Sequence, residues 1–117
     1  MAGTVISGQL TFDDAAPPFD DATVWVILEE VTYADASARE VSRLKIPGYA
    51  HGPGGAPLDF SLAAGPLDPN RRYQIRAHVD LSSSGGLEKG DQITMQSYPV
   101  VTQGHPNQVN LRLHRIE

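Results

Sequence analysis

Histidine and aspartate at alternate positions of one predicted strand are the residues of this chain best suited to hold a metal ion. His78 and Asp80 are two positions apart, so both side chains lie on the same face of a strand. His114, on the last predicted strand, is a candidate third ligand. Because no residue at the spacing of a zinc site completes the set, the pattern favours a polar strand face with an ion pair, and we expect no metal.

Two aspartate pairs flank a proline pair near the start of the chain. Asp13-Asp14 and Asp20-Asp21 offer carboxylate oxygens that suit calcium. The sequence has no D-x-D-x-D-G run, however, and we interpret the segment as a solvated acidic loop.

Motifs for nucleophilic catalysis and for phosphate binding are missing from the sequence. It contains no G-x-S-x-G, and Ser82-Ser83-Ser84 is typical of a flexible hairpin tip. The glycines within 52–55 are not followed by the Gly-Lys-Ser/Thr of a phosphate loop. We therefore expect a non-enzymatic protein without a cofactor.

The composition narrows the class of protein further. The chain has 117 residues, which suits a single domain over 1–117, and it has no cysteine, which excludes disulfides and thiolate metal sites. A net charge of −5 argues against nucleic acid as a partner. No apolar run reaches the ~18 residues of a membrane span. Residues 1–5 lack the features of a signal peptide, so we expect a cytoplasmic protein if the chain is complete, and an exported one if it is a mature or trimmed form.

Alternating apolar and polar residues predict about seven short strands and no convincing helix. The predicted strands cover residues 4–12, 22–32, 39–46, 58–62, 72–81, 92–98 and 109–114. Segments 13–21 and 47–57 are predicted loops because of their prolines and glycines, and Gly8 suggests a bulge or a close backbone approach. The spacing predicts an all-β, single-domain, two-sheet antiparallel β-sandwich, Ig-like or prealbumin-like, with a closed barrel as the alternative.

A turn followed at once by a strand gives the clearest pattern in the chain. Asp68 and Pro69 favour chain reversal, and the strand begins near Tyr73. A tyrosine just after such a turn often hydrogen-bonds back to the backbone, so we predict a structural corner at these three residues.

Two of the predicted strands offer candidate partner surfaces. If Val24, Val26 and Leu28 face the core, Trp25 and Ile27 point away from it, unless another segment covers them. The predicted outward side of the strand after the corner adds a second set suited to an acidic partner. That set is Arg72, Arg76 and His78.

Six segments in order resemble one known family. They are V-I-S-G-Q-L at 5–10, A-T-V-W-V-I-L-E-E-V at 22–31 with A-D-A at 34–36, I-P-G at 46–48, P-L-D-F at 57–60, D-P-N-R-R-Y-Q-I-R-A at 68–77 and Y-P-V-V-T-Q-G at 98–104. Together they are similar to the YbaY lipoprotein and YscW-type secretion-system lipoprotein chaperone family. The lipobox cysteine is absent from the sequence, so lipidation is not supported.

The resemblance implies a compact, non-catalytic β-sandwich in the periplasm or cell envelope. It implies a protein or peptide partner, such as an outer-membrane secretion component, and in one branch a pilotin that helps a secretin assemble. The alternative function is a small-ligand or carbohydrate-binding module that uses Trp25, Tyr33 or Tyr49 as stacking platforms.

Overall fold

Seven β-strands account for the regular structure of the described part of the chain. The computed structural model describes residues 4–12, 19–31, 38–52, 57–81, 90–96, 98–102 and 104–116. The strands are β1 (Thr4–Thr11), β2 (Phe19–Glu30), β3 (Arg39–His51), β4 (Leu58–Gly65), β5 (Tyr73–Asp80), β6 (Gln92–Thr94) and β7 (Gln108–Arg115). Within the described residues, no helix is long and apolar enough to cross a membrane.

The core forms where the inward positions of neighbouring strands meet. Val24 pairs with Val79, Val26 with Ala77 and Leu28 with Ile75, and these six side chains are at most 2% exposed. Burying each of the larger ones contributes about 1.5–3 kcal/mol relative to leaving it in water. The prediction that the even-numbered apolar positions of β2 face the core is therefore confirmed.

All seven strands belong to one sheet, in the order β3-β2-β5-β6-β7-β1-β4. The all-β class is confirmed, but the division into two separate sheets is wrong. β7 causes the difference, because its first half pairs with β1 and its last residues, Leu113–Arg115, pair with β6. The two halves of the predicted sandwich are thereby joined through one strand.

The sheet curls until its two edge strands approach each other. The Ser42 hydroxyl on β3 donates a hydrogen bond to the Ala63 carbonyl oxygen on β4, over 2.8 Å. The result is a nearly closed, barrel-like sheet around the core. Among the described strand pairs, β1–β7 is parallel and the other five are antiparallel, as the alternating patterns indicated.

Gly8 lies where the parallel pair comes closest. A Cβ added there would lie 1.6 Å from the Val109 carbonyl oxygen, inside any permitted contact. The predicted close backbone approach is confirmed, and glycine is required for this packing.

The predicted loops are shorter than expected. β2 begins at Phe19 and β3 continues to His51, so Asp20, Asp21 and most of 47–52 lie in strands. An edge strand tolerates Pro47 because its donors are not all needed, and the bulges in the β2–β3 pairing absorb the irregular register. β6 ends at Thr94, four residues before its predicted end. Predictions on 13–18, 33–37, 53–56 and 82–86 lie outside the described residues.

Candidate functional site

A tryptophan stands on the outward side of β2, with basic side chains on both flanking strands. We call this surface the tryptophan face and define it by Trp25, Ile27, Arg43, Lys45 and Arg76. Register places Lys45 of β3 opposite Trp25, and it places Arg43 of β3 and Arg76 of β5 on the two sides of Ile27. Trp25 is half-buried, whereas Ile27 is only 6% exposed.

Two cations lie over the indole ring. The guanidinium carbon of Arg43 is 5.0 Å from the ring centroid, and the ammonium of Lys45 is 5.5 Å from it. Each contact is worth about 0.5–1 kcal/mol at an exposed site. Long basic side chains therefore cover part of the apolar strip that was predicted to point outward.

Most charges on this surface have an opposite partner. Arg43 donates two hydrogen bonds to Glu40, which lower the pKa of that carboxyl despite some desolvation. Arg76 lies 3.0 Å from the Glu29 carboxylate, and the Gln74 amide donates to the same group over 3.1 Å. Among the described residues, Lys45 has no carboxylate partner, so the face carries a positive charge that no neighbour cancels.

His78 and Asp80 lie in the protein interior, and the prediction of a solvated face at these positions is wrong. They are 6% and 1% exposed. His78 Nε2 lies 3.0 Å from an Asp91 carboxylate oxygen, and the Leu81 amide donates to the other oxygen over 3.1 Å. The segment that carries Asp91 and β6 covers the end of β5. The described residues contain no group of three or more histidine and acidic side chains that could hold a metal ion.

The corner before β5 has a closed set of hydrogen bonds. The Asp68 amide donates to the Tyr73 hydroxyl oxygen over 3.1 Å, and the Asn70 amide donates to the Asp68 carboxylate over 2.9 Å. The Arg71 amide donates to the Asp68 carbonyl oxygen over 3.1 Å. Tyr73 thus spans from the buried start of the strand back to the turn that contains Pro69.

A carboxylate that the sequence did not single out holds the same end of the sheet together. Glu30 is only 8% exposed, and it accepts hydrogen bonds from Arg39 over 3.0 Å and from Arg71 over 2.9 Å. Desolvation acts to raise the pKa of Glu30, but the hydrogen bonds and charges of the two arginines outweigh it and lower the pKa. Arg39 and Arg71 are 32 residues apart in sequence, so no local pattern connects them.

Arg72 lies apart from the tryptophan face. It lines a cavity of about 370 Å³ at the far end of β2, where Val31 is also found. Six residues along a strand separate Val31 from Trp25, which is roughly 20 Å. Of the predicted partner-binding residues, the structure therefore brings Trp25, Ile27, Arg76 and His78 together on adjacent strands, with His78 buried, and separates Arg72 from them.

The aromatic residues suggested as stacking platforms do not form one site. Tyr49 packs on the rings of Phe12, 5.5 Å away, and Phe19, 6.1 Å away, and burial raises its pKa. Trp25 belongs to the opposite, outward side of β2, and Tyr33 lies outside the described residues. The sequence shows that Arg43 and Lys45 lie on the same side of their strand. They were nevertheless missed as site residues, because their position over Trp25 depends on the pairing of β3 with β2.

Comparison with known proteins identifies the group to which this β-fold belongs. One solved structure, described as an alternative pilotin from the type II secretion system of Vibrio cholerae, is similar with a TM-score of 0.76 and 25% sequence identity, over 97% of each chain. No curated protein matches the chain. The family model described as type III secretion system lipoprotein chaperone (YscW) matches residues 1–113. With nearly its whole length matched, the chain belongs to the YscW type III secretion system lipoprotein chaperone family.

Proposed function

We propose that this protein is a pilotin-like chaperone that binds a segment of a secretin and has no catalytic role. Membership of a lipoprotein chaperone family and full-length similarity to a pilotin support this role. A chaperone of this kind acts at the cell envelope, where secretins assemble.

The tryptophan face is the surface we propose for this contact. The observation that carries the proposal is the half-buried Trp25 on the outward side of a strand that is paired on both sides, with cations over the ring. Tryptophan and arginine are enriched among the residues that dominate binding energy in protein interfaces. Because β2 is held between β3 and β5, the ring is presented without an ordering cost for the backbone.

Capture of a purified secretin from the same genome tests the role and the surface together. Trp25→Ala is expected to weaken binding by at least about tenfold, in the range of a strong interface residue. Met95→Ala is the matched control, because Met95 is a large apolar side chain that is 59% exposed on another segment. Equal binding by wild type and Trp25→Ala would remove the proposed surface, and no binding by wild type would remove the proposed role.

A small-ligand-binding role is the second candidate, and the cavity beside Arg72 favours it. Its volume of about 370 Å³ falls within the usual range for ligand sites. Thermal unfolding of wild type and Arg72→Ala against a panel of glycans and small carboxylates tests this role. A ligand that stabilises wild type but not the variant supports it, and a panel without any shift contradicts it.

A further inference from the structure

We propose that the tryptophan face accepts an extended acidic segment whose carboxylates, at alternate positions, meet Lys45 and Arg43. This inference rests on the proposed function, since it names the chemistry of the segment that the same surface would bind. The tryptophan face offers such a segment the Trp25 ring for apolar contact and the cations Arg43 and Lys45 for its carboxylates.

The spacing of the two cations matches the spacing of alternate side chains on an extended peptide. Lys45 and Arg43 are two residues apart on β3, and both face outward opposite Trp25 and Ile27. Successive side chains on one face of a strand are about 6.6–6.8 Å apart. An extended peptide lying along β3 presents its own alternate side chains at the same interval, so one carboxylate can meet each cation.

Both cations can accept a further carboxylate. Lys45 has no carboxylate partner among the described residues. Arg43 gives Glu40 the Nε and one Nη donor, and a guanidinium has five N–H donors in all. The face can therefore take further negative charge, although the chain as a whole has a net charge of −5. An acidic partner would be attracted here despite the negative net charge of the protein.

The indole ring of Trp25 offers an apolar contact beneath the two cations. Trp25 lies beneath both cations, 5.0 and 5.5 Å from its centroid, and the almost buried Ile27 continues the apolar strip. A carboxylate bound to each cation would exclude water from the ring. The lower local dielectric would then strengthen the attraction between the carboxylate and the cation. A segment in which small residues alternate with Asp or Glu matches this surface.

Trp25 is the only tryptophan in the chain, so its fluorescence reports on this surface alone. The full chain is titrated with a short peptide in which Glu alternates with Thr, a peptide with the same composition but contiguous Glu, and one with Gln in place of Glu. We expect the alternating acidic peptide to shift the emission at the lowest concentration and to bind less tightly as NaCl rises from about 50 to about 300 mM. Equal response to the Gln peptide would overturn the proposal.

Matched substitutions localise the effect. Lys45→Glu is expected to weaken binding of the alternating peptide about fivefold to tenfold, through loss of one attraction and gain of one repulsion. Arg112→Glu, an exposed charge reversal on β7, is expected to change it less than twofold if contact is local. Equal weakening by both variants would reduce the effect to net charge and overturn the proposal.

Two further outcomes separate this inference from the proposed function. If Trp25→Ala loses secretin binding but Lys45→Glu keeps it, the acidic-segment inference fails and the proposed function stands. If neither variant loses secretin binding, the surface itself is wrong. Vesicles containing phosphatidylglycerol are the remaining probe, and a shift in Trp25 emission with these vesicles but not with the acidic peptide would overturn the proposal in favour of an anionic lipid surface.

Discussion

Single residues decide whether the backbone can pack as it does, and Gly8 is the clearest case. The parallel pairing of β1 with β7 puts the Val109 carbonyl where a side chain would begin. Neither atom is at the end of a flexible side chain, so a clash must be relieved by moving a strand. The sequence indicated a special backbone at Gly8, and the structure supplies the neighbouring atom.

We predict that Gly8→Ala lowers the free energy of unfolding by about 2 kcal/mol or more, as expected for overpacking against the backbone. Chemical denaturation in urea measures the loss. Gly52→Ala is the matched control, because no atom of the described residues lies within 4 Å of a Cβ added at Gly52. Equal stability of the two variants would show that β7 can move away from Gly8 at little cost.

The Tyr73 hydroxyl is expected to stabilise the fold through the hydrogen bond that it accepts from the Asp68 amide. Tyr73→Phe removes the acceptor for the Asp68 amide and keeps the ring in the core, so we expect a loss of about 1 kcal/mol in the free energy of unfolding. Urea denaturation of both proteins measures the loss, with Met95→Leu as a control at an exposed site. An unchanged free energy for Tyr73→Phe would contradict a stabilising role for the corner.

The lowered pKa of Glu30 makes the free energy of unfolding depend on pH. Its folded-state pKa is lowered, so its contribution is present above the unfolded pKa of about 4.5 and is lost as pH falls through the lower folded value. Glu30→Gln is therefore expected to be less stable than wild type at neutral pH, with a difference that shrinks below pH of about 4.5. Denaturation of both proteins across this range tests it, and a difference that stays constant with pH would contradict it.

At the scale of elements, the two edge strands decide whether the sheet is open or closed. β3 and β4 stand at opposite ends of the strand order, yet Ser42 and Ala63 are joined by a hydrogen bond. That contact brings the two edges of the curled sheet together, whereas the pairing of β7 with both β1 and β6 makes it a single sheet. Strand periodicity cannot distinguish the two, because both architectures bury one face of every strand.

We predict that Ser42→Ala loosens this closure. Amide hydrogen exchange in β3 and β4 is expected to accelerate, with a loss of about 0.5–1.5 kcal/mol in the free energy of unfolding, the usual contribution of one hydrogen bond. Ser61→Ala is the control, because Ser61 is an exposed serine on β4, the edge strand that carries the acceptor Ala63. Exchange rates that match between the two variants would contradict a role for the Ser42 contact.

At the scale of the whole molecule, the charge near Trp25 differs in sign from the net charge. The chain carries −5, whereas Arg43 and Lys45 lie over the ring. Exposed charges beyond about 10 Å are largely screened at 0.1 M salt, so the local cations should decide what approaches the indole. Binding by this surface depends on that local field rather than on the total charge.

Ionic quenchers test the local field directly. With each quencher normalised to its quenching of free N-acetyltryptophanamide, we expect iodide to quench Trp25 fluorescence more strongly than caesium at equal ionic strength, and Lys45→Glu to reduce the difference. Dominance of the net charge would give the opposite order of the normalised values, with caesium the stronger quencher. Arg112→Glu changes the net charge by the same amount at a distant site and serves as the control.

Much of this protein could be predicted from its sequence, because strand periodicity and turn chemistry are local. Alternation placed seven strands, turned Val24, Val26 and Leu28 inward, and put Trp25 and Ile27 on the other side of β2. The six ordered motifs also indicated the family, which the match over residues 1–113 shows. Each of these features depends on residues close together in the chain.

Only the tertiary structure decided which distant residues meet. β7 pairs with both β1 and β6, so one barrel-like sheet replaces the expected sandwich. Asp91 reaches His78 and buries a strand end that its polar pattern had placed in water. Pairing of β3 with β2 sets Arg43 and Lys45 over Trp25. Such contacts depend on strand order, which alternation along a single strand does not specify.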